Sequence, residues 1–178
     1  MVGMVRRYFA LWRSFFNNSL TRDLEFKANF LGGLIVDIIF YGIQFFFFSI
    51  IYSYVNALGV FTREDVMIFL VITFLADTFY MFFFSGNLFN LNRWMVRGDL
   101  DYFLLRPVQS QFMVSFRYVK SYALVSIVIL LIMLTTLIID YSKPIGFFNV
   151  LAFVFSFLMG TVLWYSVDFI ISLSLIHI

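Results

Sequence analysis

Residues 93–115, RWMVRGDLDYFLLRPVQSQFMVS, form the only long polar interruption in a strongly apolar sequence, and they separate two pairs of apolar runs. Within this central segment, the spacing predicts a short helix that is capped by Asp99 and ended by Pro107. Asp99 and Asp101 in its first turn and Arg106 in its last turn fit the charge preference of the helix dipole. One face of the predicted helix is apolar and contains Leu100, Phe103 and Leu104.

The composition on either side of this segment is that of a membrane protein. The chain has 178 residues, of which 63% are hydrophobic and only 12% are charged, and its mean hydropathy is +0.98. A soluble domain usually contains about 25% charged residues. This composition argues against a water-soluble globular fold and predicts a polytopic membrane protein.

Four apolar runs are long enough to cross a bilayer as helices, each of about 19–27 residues. They predict an all-α, polytopic membrane helix bundle in a single membrane domain, residues 1–178. The predicted spans are 29–55, 66–89, 121–139 and 147–171.

The residues before the first span predict an amphipathic helix that lies in the membrane interface, with a connector, over residues 4–27. Between residues 4 and 20, apolar side chains fall within a sector of roughly 140°. The apolar run is periodic rather than continuous, so this stretch is not a signal peptide. The members of the apolar face are Val5, Tyr8, Phe9, Trp12, Phe15, Phe16 and Leu20, whereas Leu11 departs from the pattern.

The basic residues predict which ends of the spans are cytoplasmic. The N-terminal stretch contains five Lys or Arg residues and the stretch from Arg93 to Lys120 contains another five. The two short loops between spans contain only Arg63 and Lys143, respectively. Because cytoplasmic loops are enriched in Lys and Arg, the N-terminus and the central segment are expected in the cytoplasm and the two short loops outside.

The sequence lacks the residues of most catalytic and cofactor sites. It contains no cysteine and one histidine, His177, so thiolate metal sites, disulfides and histidine-based triads are excluded. No G-x-x-x-x-G-K-[ST] motif occurs, so the chain has no P-loop of its own. We expect no enzyme activity, no cofactor, no metal and no nucleic-acid partner.

The central segment resembles a known family. Gly98, Leu100, Asp101, Leu104, Arg106 and Pro107 match the G-x-L-D-x-x-L-x-R-P signature of six-span permeases of the type-2 ABC exporter superfamily. That resemblance implies a permease subunit of a bacterial-type plasma membrane, which exports a substrate that the residues do not specify. It also implies a separate P-loop ATPase subunit and a second permease subunit, identical or different. Residues 98–107 would form the ATPase-coupling loop, with Asp101 and Arg106 holding its shape or contacting the ATPase, and with the apolar face docking.

Other interpretations of these features remain open. The central segment can be a connecting loop that lies on the lipid surface. An ion-coupled secondary transporter or channel would use Asp37 and Asp77 and would need no ATPase. A membrane anchor or assembly factor without transport is a third possibility.

Three acidic residues fall within the predicted spans: Asp37, Asp77 and Asp168. An ionised carboxylate near the bilayer centre, the position of Asp77, costs about 2.5–3.5 kcal/mol on insertion scales. Asp77 is therefore expected to be protonated or turned inward. A proton relay or substrate path is one interpretation, and the preferred one is hydrogen bonding between helices. No charged side chain within the spans opposes these acids, and the candidate partners are Gln44, Thr73, Thr78 and Asn87.

The C-terminal part has two further features, a row of small residues in the fourth span and an unusual last hexapeptide. Ala152, Ser156 and Gly160 recur every four residues in the fourth span, which is typical of close helix packing within the chain or across a dimer. The last six residues, 173–178, LSLIHI, resemble the translation of a sequencing adapter. We expect the native sequence to end near Ser172 and about two further spans to follow in the complete protein, with a natural four-span protein as the alternative.

Overall fold

The computed structural model describes residues 2–174 and confirms an all-α membrane architecture. Four of its helical stretches are long and apolar enough to cross a membrane. The predicted adapter residues lie mostly outside the described part, although Leu173 and Ser174 continue the last helix. The helices are α1 Val2–Glu25, α2 Lys27–Tyr54, α3 Arg63–Tyr80, α4 Gly86–Val96, α5 Leu100–Leu104, α6 Ser110–Phe116, α7 Ser121–Ile139 and α8 Phe147–Ser174.

The second membrane helix is longer than the predicted span 66–89. It runs from Arg63 to Val96, because α3 and α4 are joined without a break by a π-helical turn, Met81–Ser85. At its polar end the backbone hydrogen bonding continues as far as the Arg97 N–H, which donates to the Arg93 carbonyl at 3.1 Å, while Asn87 and Asn90 turn their side chains back to carbonyls one turn earlier, at 3.0 and 2.7 Å. The stretch Arg93–Val96, at the start of the central segment, is therefore helix rather than loop.

The transmembrane core lies between α2, α3 and α7. Val71 is fully buried there, and Phe74, Leu130 and Leu134 are nearly so. The ring of Tyr41 stacks on Phe74 with the ring centroids 4.4 Å apart. Burial of these side chains holds the three helices together, while most of α8 keeps its side chains exposed for lipid or for another subunit.

The two short loops meet at one end of the bundle. A two-residue hairpin, Ala57–Leu58 with Phe61–Thr62, precedes α3, and Gly59 supplies its left-handed backbone (φ 63°). Thr62 and Asp65 form a capping box at the start of α3. The Lys143 ammonium lies 2.7 Å from Asp65 Oδ2, so the last loop is tied to the first.

At the opposite end, α1 packs against the stretch that follows α5. The Tyr8 and Phe112 rings meet edge to face at 4.8 Å. Leu11 and Phe15 contact the core of this region, so Leu11 has a packing role that the amphipathic pattern did not predict. The Ser19 hydroxyl accepts a hydrogen bond from the Val119 N–H at 3.1 Å. One side of the predicted interfacial helix is thus covered by protein.

Candidate functional site

The candidate coupling loop begins at Gly98, whose φ of 76° lies in the left-handed region. The short helix predicted after it exists as α5, Leu100–Leu104. The predicted capping by Asp99 is wrong, because the Asp99 side chain receives no hydrogen bond from the helix. Its backbone is already helical (φ −66°, ψ −22°), whereas a capping side chain normally needs an extended backbone to reach back to the free N–H groups.

The predicted apolar face of α5 is divided between the core and the surface. Phe103 is 4% exposed and its ring lies 5.3 Å from that of Trp94, while Leu100 packs beside it. Leu104 is 58% exposed. Tyr102, Leu104 and Leu105, within four residues of the central segment, are all exposed and are together named the exposed apolar patch.

The end of α5 differs from the prediction as well. The helix stops at Leu104, and the Leu105 N–H donates to the Asp101 carbonyl at 3.1 Å. Arg106 therefore follows the helix instead of occupying its last turn. The Pro107 carbonyl accepts a hydrogen bond from Arg7 Nη2 at 3.1 Å, so the loop is held to α1, and the Asp101 side chain stays exposed.

A buried asparagine connects the second membrane helix to the approach to α7. Asn87 is fully buried; its Nδ2 donates to the Tyr118 carbonyl at 2.7 Å, and its Oδ1 accepts from the Tyr118 N–H at 2.8 Å. In the π-helical turn, the Phe82 carbonyl accepts a hydrogen bond from the Lys120 N–H at 3.4 Å. A displacement of this stretch would therefore act directly on the second membrane helix.

The intramembrane acids are hydrogen-bonded to hydroxyl groups on neighbouring helices. Ser126 donates to Asp37 at 2.8 Å, and Tyr41 donates to Asp77 at 3.0 Å. The Tyr41 hydroxyl also lies 2.8 Å from the Thr78 hydroxyl. The third acid, Asp168, accepts from Tyr80. None of the four predicted partners donates directly to an acid.

Sequence reasoning missed a basic residue beside two of these acids. Lys120, directly before α7, lies close enough to Asp37 and Asp77 to interact electrostatically with both. Burial lowers the pKa of the Lys120 ammonium group, and the two carboxyl groups act against that shift. The sequence did contain a signal for this contact, because Lys120 directly precedes the third span and Asp37 lies near the start of the first.

The small residues of the fourth span do not pack inside the described part of the chain. Ala152, Ser156 and Gly160 are all exposed, and a Cβ added at Gly160 would meet nothing within 4 Å. This face of α8 is open to a partner or to lipid.

Comparison with known proteins is consistent with this arrangement. A family model described as ABC-2 family transporter protein matches residues 38–177, which is most of the chain. No curated protein and no solved structure shows a significant match. The chain therefore belongs to the ABC-2 family of transporter proteins and is a membrane component of an ABC-type transport system.

Proposed function

We propose that this chain is the permease subunit of an ABC-type exporter in a bacterial plasma membrane. ABC-2 permeases generally work with a P-loop ATPase, and the proposal places that ATPase against the exposed apolar patch formed by Tyr102, Leu104 and Leu105. The observation that carries the proposal is this patch: three large side chains, 58–84% exposed, stand on a loop that is hydrogen-bonded to the rest of the bundle.

The proposed sidedness rests on the charges and on the grouping of the loops. Ten of the twelve basic residues lie within residues 6–27 or 93–120, and α1 packs against the loop after α5. The first and last loops meet at the other end. The positive-inside rule then assigns the basic end to the cytoplasm.

Sidedness is testable because the chain has no native cysteine. Tyr102 is 70% exposed and Val60 is 83% exposed. Tyr102→Cys should react with an impermeant maleimide only after cells are permeabilised, whereas Val60→Cys should react in intact cells. Labelling of Tyr102→Cys from outside intact cells would contradict the proposal, because the ATPase could not reach the patch.

The contacts beneath the exposed apolar patch offer a path for force from the ATPase to the membrane-spanning helices. Phe103 anchors α5 on Trp94 of α4, and Asn87 joins the same helix to the start of the third span. Pressure on α5 would therefore reach two membrane-spanning helices. We infer that ATP-driven closure of the ATPase pair tilts these helices and alternates access to the transport path.

Replacing Leu105 by aspartate tests the coupling. Burial of a leucine side chain contributes about 1.5–3 kcal/mol, so a docked Leu105 replaced by aspartate should weaken ATPase binding about tenfold or more. Co-purification with the ATPase and stimulated ATP hydrolysis are the measurements. Val60→Asp, at the other end of the bundle, is the control. Normal ATPase binding and transport by Leu105→Asp would refute the assignment of the patch.

The ion-coupled alternative makes a different prediction. Asp37 and Asp77 each accept a hydrogen bond within the bundle, which supports a role in holding helices together. Transport driven by a proton gradient without ATP, and lost in Asp77→Asn, would favour the alternative.

A second permease subunit, identical or different, is also part of the proposal. The exposed face Ala152, Ser156 and Gly160 of α8 allows close approach of another helix. Crosslinking through Ser156→Cys, with Val60→Cys as the control position, tests this contact. The expected result is a crosslinked permease pair from Ser156→Cys alone.

A further inference from the structure

A second feature of the cytoplasmic end is a cavity between α1 and the stretch that follows α5. Its volume is about 350 Å³. Three arginines line it: Arg22 from α1, Arg106 from the loop after α5, and Arg117 directly after α6. Asn18 and Tyr118 contribute further polar groups. The cavity thus gathers side chains that are far apart in the sequence and mostly of one charge.

Aromatic rings hold two of these guanidinium groups in place. The Arg117 guanidinium carbon lies 4.7 Å from the centre of the Phe103 ring and 5.4 Å from that of Tyr118. The Arg22 guanidinium carbon lies 5.3 Å from the centre of the same Tyr118 ring. Cation–π contacts of this kind orient a guanidinium group through its face and leave its N–H groups at the edge free to bind.

The cationic charge of the cavity is only partly compensated. Arg22 is paired with Asp23 at 3.1 Å, and the same carboxylate accepts two hydrogen bonds from Ser121. Within residues 2–174, Arg106 and Arg117 form no ion pair with a carboxylate. Like charges brought together repel one another, so an anion bound between them would be favoured.

The chemistry of the donors indicates the class of anion. Guanidinium groups donate paired N–H bonds to phosphate oxygens, and a phosphate group has enough oxygens to be shared by several arginines. One wall of the cavity is α1, the helix expected to lie in the membrane interface, where lipid phosphates would be within reach. We propose that Arg22, Arg106 and Arg117 form a binding site for a phosphate-bearing anion, which is either a phospholipid headgroup of the cytoplasmic leaflet or a soluble phosphate compound.

Bound anion would stabilise the contact between α1 and the central segment, because Arg22 belongs to one and Arg106 to the other. The site is distinct from the exposed apolar patch, because Tyr102, Leu104 and Leu105 do not line the cavity. Its binding can be measured without the ATPase, so its failure would leave the proposed transport function untouched.

The experiment measures thermal unfolding of the purified full chain in a neutral detergent. Inorganic phosphate and short-chain phosphatidylglycerol are the two anionic probes, and short-chain phosphatidylcholine is the lipid without net charge. A ligand that binds the folded state raises the unfolding midpoint in a concentration-dependent way. Arg106→Gln, Arg117→Gln and the double variant remove site charges, and Arg13→Gln removes an exposed α1 charge outside the cavity.

We expect at least one anionic probe to raise the midpoint of the parent protein. Loss of one charge-assisted contact should raise the apparent dissociation constant about tenfold or more in either single variant, with no change in Arg13→Gln. A response to phosphatidylglycerol alone identifies a lipid headgroup, and a response to phosphate identifies a soluble ligand.

Three results would overturn the proposal. These are no response to either anion, an equal response to phosphatidylcholine, or equal weakening in Arg13→Gln. If the double variant does not fold, the single variant Arg106→Gln tests the proposal. It should fold normally, because the Arg106 side chain is exposed and forms no hydrogen bond within the described residues.

Discussion

Replacing Asn87 by leucine tests whether the second membrane helix is held to the approach to α7 as the structure shows. Leucine is similar in size to asparagine but offers no donor or acceptor. The Tyr118 N–H and C=O, bonded to Asn87 at 2.8 and 2.7 Å, would both lose their partner. Asn87 is fully buried, so water cannot replace it without a rearrangement.

The expected loss of stability follows from those two stranded groups. An unsatisfied buried donor or acceptor costs about 1–3 kcal/mol, whereas hydrogen bonds measured between membrane helices average about 0.6 kcal/mol. Between these two scales, stranding both the N–H and the C=O of Tyr118 should lower the free energy of unfolding by about 2–4 kcal/mol. For a chain of this size, each kcal/mol lowers the unfolding midpoint by about 2–4 °C, so the midpoint should fall by about 5–15 °C.

The assay is thermal unfolding in detergent, followed by circular dichroism and tryptophan fluorescence. Asn90→Leu is the matched control, because the Asn90 side chain donates only to the Gly86 carbonyl within its own helix. That variant should change the midpoint by less than about 3 °C, since its carbonyl already belongs to a helical hydrogen bond. An unchanged midpoint in Asn87→Leu, or an equal fall in Asn90→Leu, would refute the reasoning.

Two further predictions concern other contacts of the bundle. Gly33→Ala should destabilise the protein by about 1–3 kcal/mol, because the added Cβ would lie 2.8 Å from ring atoms of Tyr122. Gly32→Ala is the control: its added Cβ would meet nothing within 4 Å, so this variant should be neutral or stabilising in the same unfolding assay. The hydrogen bond to Asp65 raises the pKa of the Lys143 ammonium group above its ordinary 10.5. The stabilisation due to Lys143 is therefore complete below pH 10.5, and it is lost only as the pH rises through the higher pKa of the folded state. Unfolding midpoints of the parent and Lys143→Gln should therefore differ by a constant amount between pH 7 and 9, and a difference that disappears within that range would contradict the ion pair.

The central segment shows how far local sequence signals extend. The short helix after Gly98 is predictable, because Gly98 and Pro107 mark the ends of the stretch and the charges favour it. The Asp99 cap is absent because the Asp99 backbone is already helical, and Arg106 lies outside the last turn because α5 ends at Leu104. A five-residue helix has little stability of its own and depends on tertiary packing, here the contact of Phe103 with Trp94.

The intramembrane acids also show which features local sequence predicts and which depend on packing. Asp37 and Asp77 are recognisable from sequence as intramembrane acids, since their cost in hydrocarbon depends on composition alone. Their partners Ser126, Tyr41 and Lys120 are 36–89 residues away. A membrane helix that is apolar on all sides has little periodicity, so its pattern does not tell which side faces a neighbour.

The sequence by itself determined that this chain forms an all-α membrane bundle with four apolar spans and a strongly basic end. Insertion of a span depends on the total hydropathy of about 20 consecutive residues, and its orientation depends on the number of Lys and Arg residues in the flanking loops, so both can be read from local sequence. Only the tertiary structure decided that a π-helical turn joins α3 to α4, that Asn87 meets Tyr118, and that three arginines share one cavity. These contacts depend on how each helix is rotated and how deep it sits, which packing between distant residues sets.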